Sequence, residues 1–349
     1  MNELGAPEKL RLPLAGPSFE QRVARKRERV HVLTGEVCNN NCIFCMEEDR
    51  EGRRVVNGTT DDALLDWILR ENPDAEEICF TSGEPTTRKE LPGWVKKAKA
   101  AGIQRISIMT NARALAYERY AKGLVAAGIS RFYVSIHGHT AKLHDSLVRT
   151  PGAFEQTTAG IAHIARLARY GVELHTSTVL TRRNLPHLQP IYRFLRERGV
   201  DQVVFNVMQA NGRANTHFER IFPTYTETGA AFREFVLAEQ EREDPVMAFL
   251  VDIPPCATEG VPDFNRGFVE SYVHYEPSVE NHGQQLPGME LGHGPQGDLA
   301  AVRRSDLDGA VRTKRDECRS CRYDSVCEGV WMNYLRRHGW DELQPVRLP

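Results

Sequence analysis

Six of the eight cysteines fall into two tight groups. Cys38, Cys42 and Cys45 form C-x3-C-x2-C in GEVCNNNCIFCMEE. Cys318, Cys321 and Cys327 form C-x2-C-x5-C in DECRSCRYDSVCEG. Thiolates are soft ligands, so such groups suit zinc or iron–sulfur rather than magnesium or calcium. A structural zinc site wants four ligands, and the first loop offers three thiols and no histidine. A [4Fe–4S] cluster on three cysteines leaves one iron open to a small molecule. A three-cysteine zinc site completed from elsewhere is the alternative. Cys256 stands alone in DIPPCATEG. Cys79 lies in the apolar run EEICFTS and reads as a small core hydrophobe.

The elements that must carry these groups alternate. Strand-like VHVLT, EEICFTS, RISIMT, RFYVSI, ELHTSTVL and VVFNVM each precede a helix-like run, giving six β/α units between about 31 and 242. Glycine closes several of the helices, at Gly102, Gly128, Gly171 and Gly199. Alternating β and α runs predict an α/β protein with a parallel sheet and right-handed crossovers. Six units could close partly into a barrel or spread as an open sheet. MAFLVDI at 247–253 reads as one more strand. Residues 1–30 are polar and read as a surface extension. Residues 254–317 carry many Gly and Pro without clear periodicity. They read as irregular chain folded around something held by the flanking cysteines.

In parallel α/β folds, ligands bind at the carboxyl ends of the strands. Those ends are polar here. They carry the three thiols, then Ser82-Gly83-Glu84-Pro85, Thr110-Asn111, Ser135 to Gly138, Thr176 to Thr178, and Asn206 leading to Gln209. Six polar ends on one predicted rim mark a site.

Composition limits the partners. Lys and Arg total 45 against 47 Asp and Glu, a net charge of −2. That gives no global electrostatic case for nucleic acid or an anionic membrane. The basic run RVARKRER reads as a solvated helix face. No apolar run approaches the ~20 residues of a membrane span, and the N-terminus shows no apolar signal core. A cytoplasmic protein is expected, in which the cysteines are not structural disulfides.

The C-x3-C-x2-C loop after the first strand, with Phe44 before its third cysteine, resembles the radical S-adenosylmethionine (SAM) superfamily. The resemblance covers about 31–215 and continues into the tail. It implies a partial (β/α)6 TIM-like barrel over 31–245 and a small irregular C-terminal Fe–S domain over 246–349. It implies a [4Fe–4S] cluster on Cys38, Cys42 and Cys45, with SAM chelating the open iron. TSGEPT resembles the family's G-G-E-P motif, with Ser82 in place of the first glycine. The backbone of Gly83 and Pro85 and the acid Glu84 would engage the SAM ammonium. Ser135 and Arg149 would contact the SAM carboxylate, for which a guanidinium fork is suited. Thr178, Val179, Asn206 and Gln209 are further candidates to touch SAM or substrate, and Asn111 a weaker one. His137 and Asp145 either shape a turn or join the site. No catalytic residue is assigned.

The tail resembles the auxiliary-cluster domains called SPASM or twitch. Seven cysteines for two clusters are absent, so one auxiliary [4Fe–4S] cluster on Cys256, Cys318, Cys321 and Cys327 is implied. A structural zinc on the same four thiols is the alternative. The implied activity is reductive cleavage of SAM to a 5′-deoxyadenosyl radical that abstracts hydrogen from substrate. The electron would come from a flavodoxin- or ferredoxin-type donor. The substrate would be a peptide residue, oxidised or crosslinked, or else a small molecule such as a sugar, nucleoside or amino acid. A non-catalytic Fe–S or zinc module is the remaining alternative.

Overall fold

The computed structural model describes residues 27–46, 60–208, 211–242, 245–265, 270–277, 290–295 and 297–347. Seven strands run in chain order: β1 (Arg27–Leu33), β2 (Glu77–Thr81), β3 (Arg105–Thr110), β4 (Arg131–Ser135), β5 (Glu173–Leu180), β6 (Gln202–Val207) and β7 (Ala248–Val251). Each pairs in parallel with the next. Between them lie α1 (Asp62–Glu71), α2 (Leu91–Ala100), α3 (Glu118–Ala127), α4 (Ala141–Val148), α5 (Ala153–Arg166), α6 (Leu188–Arg196), the short α7 (Gly212–Thr216) and α8 (Phe218–Ile221), and α9 (Tyr225–Gln240). The sheet is a partial TIM-like barrel. MAFLVDI supplies its seventh strand.

The curl is visible across the lumen. Flat neighbouring strands stand about 4.8 Å apart, which would place β1 and β4 far from each other. Yet the Arg29 guanidinium of β1 lies 5.0 Å from the Tyr133 ring of β4. The two faces of the strands differ in chemistry. Val32, Ile78, Phe80, Ile106, Ile108, Phe132 and Val134 are buried, and Phe80 stacks on Trp94 of α2. The inward row is polar. Arg29 donates to His31 Nε2 at 2.9 Å, and Arg131 bridges Glu77, Glu173 and the Tyr133 hydroxyl. Burial, with Arg29 beside it, holds His31 well below its ordinary pKa.

The helices cover the apolar face because their sequences repeat as helices must. In α6, Leu188, Ile191, Tyr192 and Leu195 are buried along one stripe. Asp61 caps α1 through Leu64 N–H, and Thr224 with Glu227 forms a capping box on α9.

Two sequence expectations need correcting. β1 begins at Arg27, inside the segment expected to be extension. Arg29 of this basic run is buried against the lumen, bonded to His31 and set over the Tyr133 ring, so its charge did not mark it as a solvated face. The 254–317 segment is not irregular throughout. It supplies β8 (Glu270–Pro277), β9 (Glu290–Gly294), β10 (Gly297–Arg303) and α10 (Arg304–Val311). β8 pairs in parallel with β1 and in antiparallel with β10, which pairs with β9. The C-terminal segment therefore extends the barrel sheet beyond β1. The tail adds β11 (Arg312–Thr313), β12 (Val330–Trp331) and α11 (Met332–His338). No helix among the described residues is long and apolar enough to cross a membrane.

Candidate functional site: two thiol-lined cavities

The first cysteine loop leaves β1 and is fastened at both ends. Thr34 N–H donates to Thr81 O and its hydroxyl to Ser82 O, each at 2.8 Å. Asn41 and Ile43 N–H groups donate to the Val148 and Leu147 carbonyls at 3.0 Å. Those carbonyls end α4 and would otherwise lack partners. Ile43 and Phe44 are buried, and Phe44 meets the His137 ring edge-on at 4.6 Å. The anchored apolar pair turns Cys38, Cys42 and Cys45 onto one cavity of about 320 Å³ at the carboxyl ends of the strands. The Asn40 N–H points at Cys38 Sγ, 3.4 Å away.

The β2 turn is knitted to this loop. Ser82 and Gly83 both take positive φ, 69° and 56°. A Cβ at Gly83 would collide with the Gly35 carbonyl and lie 2.7 Å from the Val37 carbonyl. Only glycine allows that approach. Glu84 N–H then donates to Val37 O at 2.8 Å.

Glu84 itself is buried and heavily bonded. Its Oε1 accepts from Thr86 N–H, the Thr86 hydroxyl and the Thr110 hydroxyl at 3.1, 2.6 and 2.6 Å. Its Oε2 accepts from Asn111 N–H at 2.7 Å. Burial pushes its pKa up, while these donors oppose the rise. The carboxylate thus ties the ends of β2 and β3 together at the cavity wall.

His137 has a fixed tautomer. Its Nδ1 accepts from Val179 N–H at 3.1 Å, so the ring proton sits on Nε2. His144 Nδ1 likewise accepts from His137 N–H, and the two rings stack at 5.7 Å. Burial holds both below the ordinary histidine range, His144 at about 4. Both rings are neutral near pH 7.

The second cavity gathers Cys256, Cys318, Cys321 and Cys327 among Tyr323, Trp340, Leu343 and Val330. Cys256 lies on the turn Pro255–Thr258, which packs on α9. A Cβ at Gly229 of α9 would overlap the Ala257 carbonyl oxygen, so the close seat needs glycine there. The 318–327 segment folds on itself. Cys321 N–H donates to Cys318 O, Cys327 N–H to Tyr323 O, and Gly329 N–H to Cys327 Sγ at 3.3 Å. Burial, then the neighbouring thiols, push Cys256 up to about 12, and burial raises Cys327. The tail is clamped to the barrel by Tyr334. Its ring stacks on Tyr225 at 3.8 Å, and its hydroxyl accepts from Tyr225 N–H and donates to Glu342.

These donor sets fit iron–sulfur clusters. One has three thiols opening on a cavity with room for a ligand. The other has four thiols sharing a walled one. Each receives an N–H···S contact, which steadies thiolate charge. Among the described residues no group of three or more His, Cys, Asp or Glu stands as a site for one metal ion.

Residues 32–195 match the family described as the Radical SAM superfamily. That span is just under half of the chain, and over it the chain is similar to that superfamily. An AdoMet-dependent heme synthase of Methanosarcina barkeri is 32% identical over 164 residues, which is 46% of this chain and 45% of the relative. A probable GTP 3′,8-cyclase of Metallosphaera sedula is 27% identical over 182 residues, 52% of this chain and 56% of the relative. The chain spans about half the length of the curated relatives it matches. Among solved structures, Streptococcus suis SuiB bound to S-adenosylmethionine superposes with a TM-score of 0.61 at 15% identity, over 94% of this chain and 80% of SuiB. Native anSMEcpe with bound AdoMet and Kp18Cys peptide gives 0.56 at 14%, over 92% and 93%. At these identities the shared property is the fold.

Within this partial barrel, several expected site residues meet. Phe44, Ser82, Gly83, Glu84, Asn111, Ser135, His137, Val179 and Asn206 line the cavity with the first three cysteines. Pro85 starts the buried turn behind Glu84. Thr178 faces away, with its hydroxyl donating to Ile136 O at 2.6 Å. Arg149 is exposed, caps α4 at φ 52° and does not line the cavity. Asp145 accepts from Gly152 and Phe154 N–H groups and so shapes the α5 start. Gln209 lies outside the described residues. Cys79 is buried on β2.

Two residues escaped sequence reading. Arg213 donates to Asn41 Oδ1 and to Cys42 O, bracing the cysteine loop from α7. Asp252 ends β7 and lines the first cavity. Its position at a predicted strand end, four residues before Cys256, was the available signal.

Proposed function

We propose that this chain is a radical SAM enzyme with one auxiliary cluster, and that it oxidises or crosslinks a residue of a peptide. Cys38, Cys42 and Cys45 would hold a [4Fe–4S] cluster with one iron left to SAM. Cys256, Cys318, Cys321 and Cys327 would hold the auxiliary [4Fe–4S] cluster. With SAM bound, the first cluster would supply a 5′-deoxyadenosyl radical for hydrogen abstraction, given one electron from a flavodoxin- or ferredoxin-type donor.

The observation that carries this reading is the convergence of three thiols and six strand ends on one cavity, with four more thiols on a second cavity. The chain's own residues have definable tasks. Glu84 locks the strand ends on which a ligand would rest. Ser135 and Asn206 offer polar groups at the mouth, and His137 an Nε2–H donor. Met109, Val179 and Met208 give the lining apolar surface that excludes water. Arg149 enters only as a residue that would have to swing in to reach a carboxylate.

The peptide reading draws on SuiB, solved bound to precursor peptide SuiA, and on anSMEcpe, solved with Kp18Cys peptide. A small-molecule substrate is the second reading. It draws on the sequence relatives named for heme synthesis and GTP cyclisation.

The test is anaerobic reconstitution with iron and sulfide, reduction by dithionite, and quantification of 5′-deoxyadenosine. The expected result is product from the native chain and none from Cys42→Ala. Absence of both product and SAM binding, in a fully iron-loaded sample, would overturn the enzyme reading. Peptide and small-molecule fractions of a cell extract then separate the two substrates. Stimulation of cleavage that protease treatment destroys supports the peptide; stimulation that survives it supports the small molecule.

A further inference from the structure

Four charged side chains cluster among residues that line, or directly adjoin residues that line, the two cavities. Arg304 Nη2 and Arg312 Nη2 both donate to Asp252 Oδ1, at 2.6 and 3.0 Å. The same guanidiniums face Glu328 Oε2 at 3.6 and 3.3 Å. All four are largely buried: the Arg312 side chain is 1% exposed, Asp252 6%, and Arg304 and Glu328 14% each. Within this group each guanidinium faces both carboxylates, as buried charges require partners.

The quartet's placement is specific. Asp252 lines the first cavity. Among the described residues its Oδ2 makes no hydrogen bond, because both guanidinium bonds fall on Oδ1. Asp252 also sits at φ 63°, a conformation that a non-glycine residue adopts at a cost. On the other side, Glu328 follows Cys327 directly, and Arg312 precedes Thr313, which lines the second cavity. The Arg312 guanidinium lies 3.9 Å from the Trp331 ring, which fixes its position.

We propose that Asp252, Arg304, Arg312 and Glu328 form an electrostatic link through which occupancy of the first cavity shifts the reduction potential of a cluster held in the second. The link rests on the reading of the second cavity as a cluster site. Its physics is charge balance. A cationic or hydrogen-bond-donating ligand in the first cavity takes up part of the Asp252 carboxylate. The two guanidiniums are then less neutralised. Their positive charge acts more fully on the second cavity and favours the reduced, more negative cluster.

The experiment is an EPR-monitored redox titration of the reconstituted full chain, with and without SAM as the probe. In the native chain SAM is expected to raise the auxiliary midpoint, by up to about tenfold in the reduced-to-oxidised ratio, or roughly 59 mV for one electron. In Asp252→Asn the midpoint is expected to start at the SAM-loaded value and not to move. Asparagine suits this test because it tolerates positive φ. If Asp252→Asn loads no iron, Glu328→Gln replaces it. That variant also raises the starting midpoint, and its SAM response is expected to fall. A native midpoint insensitive to SAM, or a full SAM shift in the variant, overturns the link. A Cys38→Ala/Cys42→Ala/Cys45→Ala chain separates the two levels. If it binds no iron, the auxiliary-cluster reading falls and the link with it. If it binds iron and the SAM shift is missing from the native chain, the link alone falls.

Discussion

Cys38, Cys42 and Cys45 hang from the end of a single strand, whereas Cys256 and the 318–327 trio come from segments more than sixty residues apart. The first group is held mainly by backbone hydrogen bonds, to β2 and to the end of α4. The second depends on packing: the Cys256 turn on Gly229 of α9, and the tail on Tyr225 through Tyr334. The first cavity is open at the strand ends, while the second is walled by Tyr323, Trp340 and Leu343. A site that must admit a ligand can be built from a short loop on a rigid sheet. A site that only keeps its occupant can be assembled from distant pieces, at the risk of losing one of them.

The comparison is most exposed at Gly229. Gly229→Val forces side-chain atoms into the Ala257 carbonyl and should cost about 3 kcal/mol or more. Urea denaturation should show that loss. Iron analysis should show the second site emptied while the first still loads. Equal loss from both sites would mean that they are not independently held.

Glu84→Ala attacks the other side. It strands four donors in a buried pocket and should cost about 2–3 kcal/mol, read from the same denaturation curve. SAM affinity should fall, and the iron of the second site should stay. Retained SAM affinity would show that the β2–β3 brace is dispensable.

Acid should weaken the first region further. His144 has its folded pKa lowered to about 4, so between that value and about 6.5 the unfolded chain binds the extra proton. Stability from this group is therefore complete above pH 7 and declines as pH falls. The loss at pH 5 is roughly 2 kcal/mol. His137 and His31, also lowered by burial, act in the same direction. Denaturation at pH 7 and pH 5 measures the change, and His144→Asn should flatten it.

The smallest effect is expected at Ser82. With φ at 69°, Ser82→Gly should relieve about 1 kcal/mol of backbone strain and raise the melting temperature slightly. An unchanged or lower melting temperature would show that the serine hydroxyl, 3.4 Å from Gly35 O, offsets the strain.

Much of the molecule was legible in one dimension. The β/α alternation, the seventh strand, the positions of the first three cysteines and the polar strand ends all follow from local periodicity and spacing. Helix-closing glycines such as Gly102 and Gly128 do adopt positive φ. These features rest on interactions within a few residues, which neighbouring letters encode. Other features depend on what lies across the lumen or on a distant segment. Arg29 can sit inside a strand because the Tyr133 ring faces its guanidinium and His31 Nε2 accepts its hydrogen bond. β8 is a strand because β1 offers it an edge. Thr178 and Arg149 sit at the expected positions in the chain, yet backbone geometry points one at Ile136 O and leaves the other exposed outside the cavity lining. Spacing by itself determined which thiols could act together near the first strand. The resemblance groups Cys256 with the tail, and the tertiary structure brings them onto one cavity; only the tertiary structure decided that Asp252 meets Arg304 and Arg312. Burial is the reason: a charge or thiol far away in sequence becomes a partner only when folding removes the water between them.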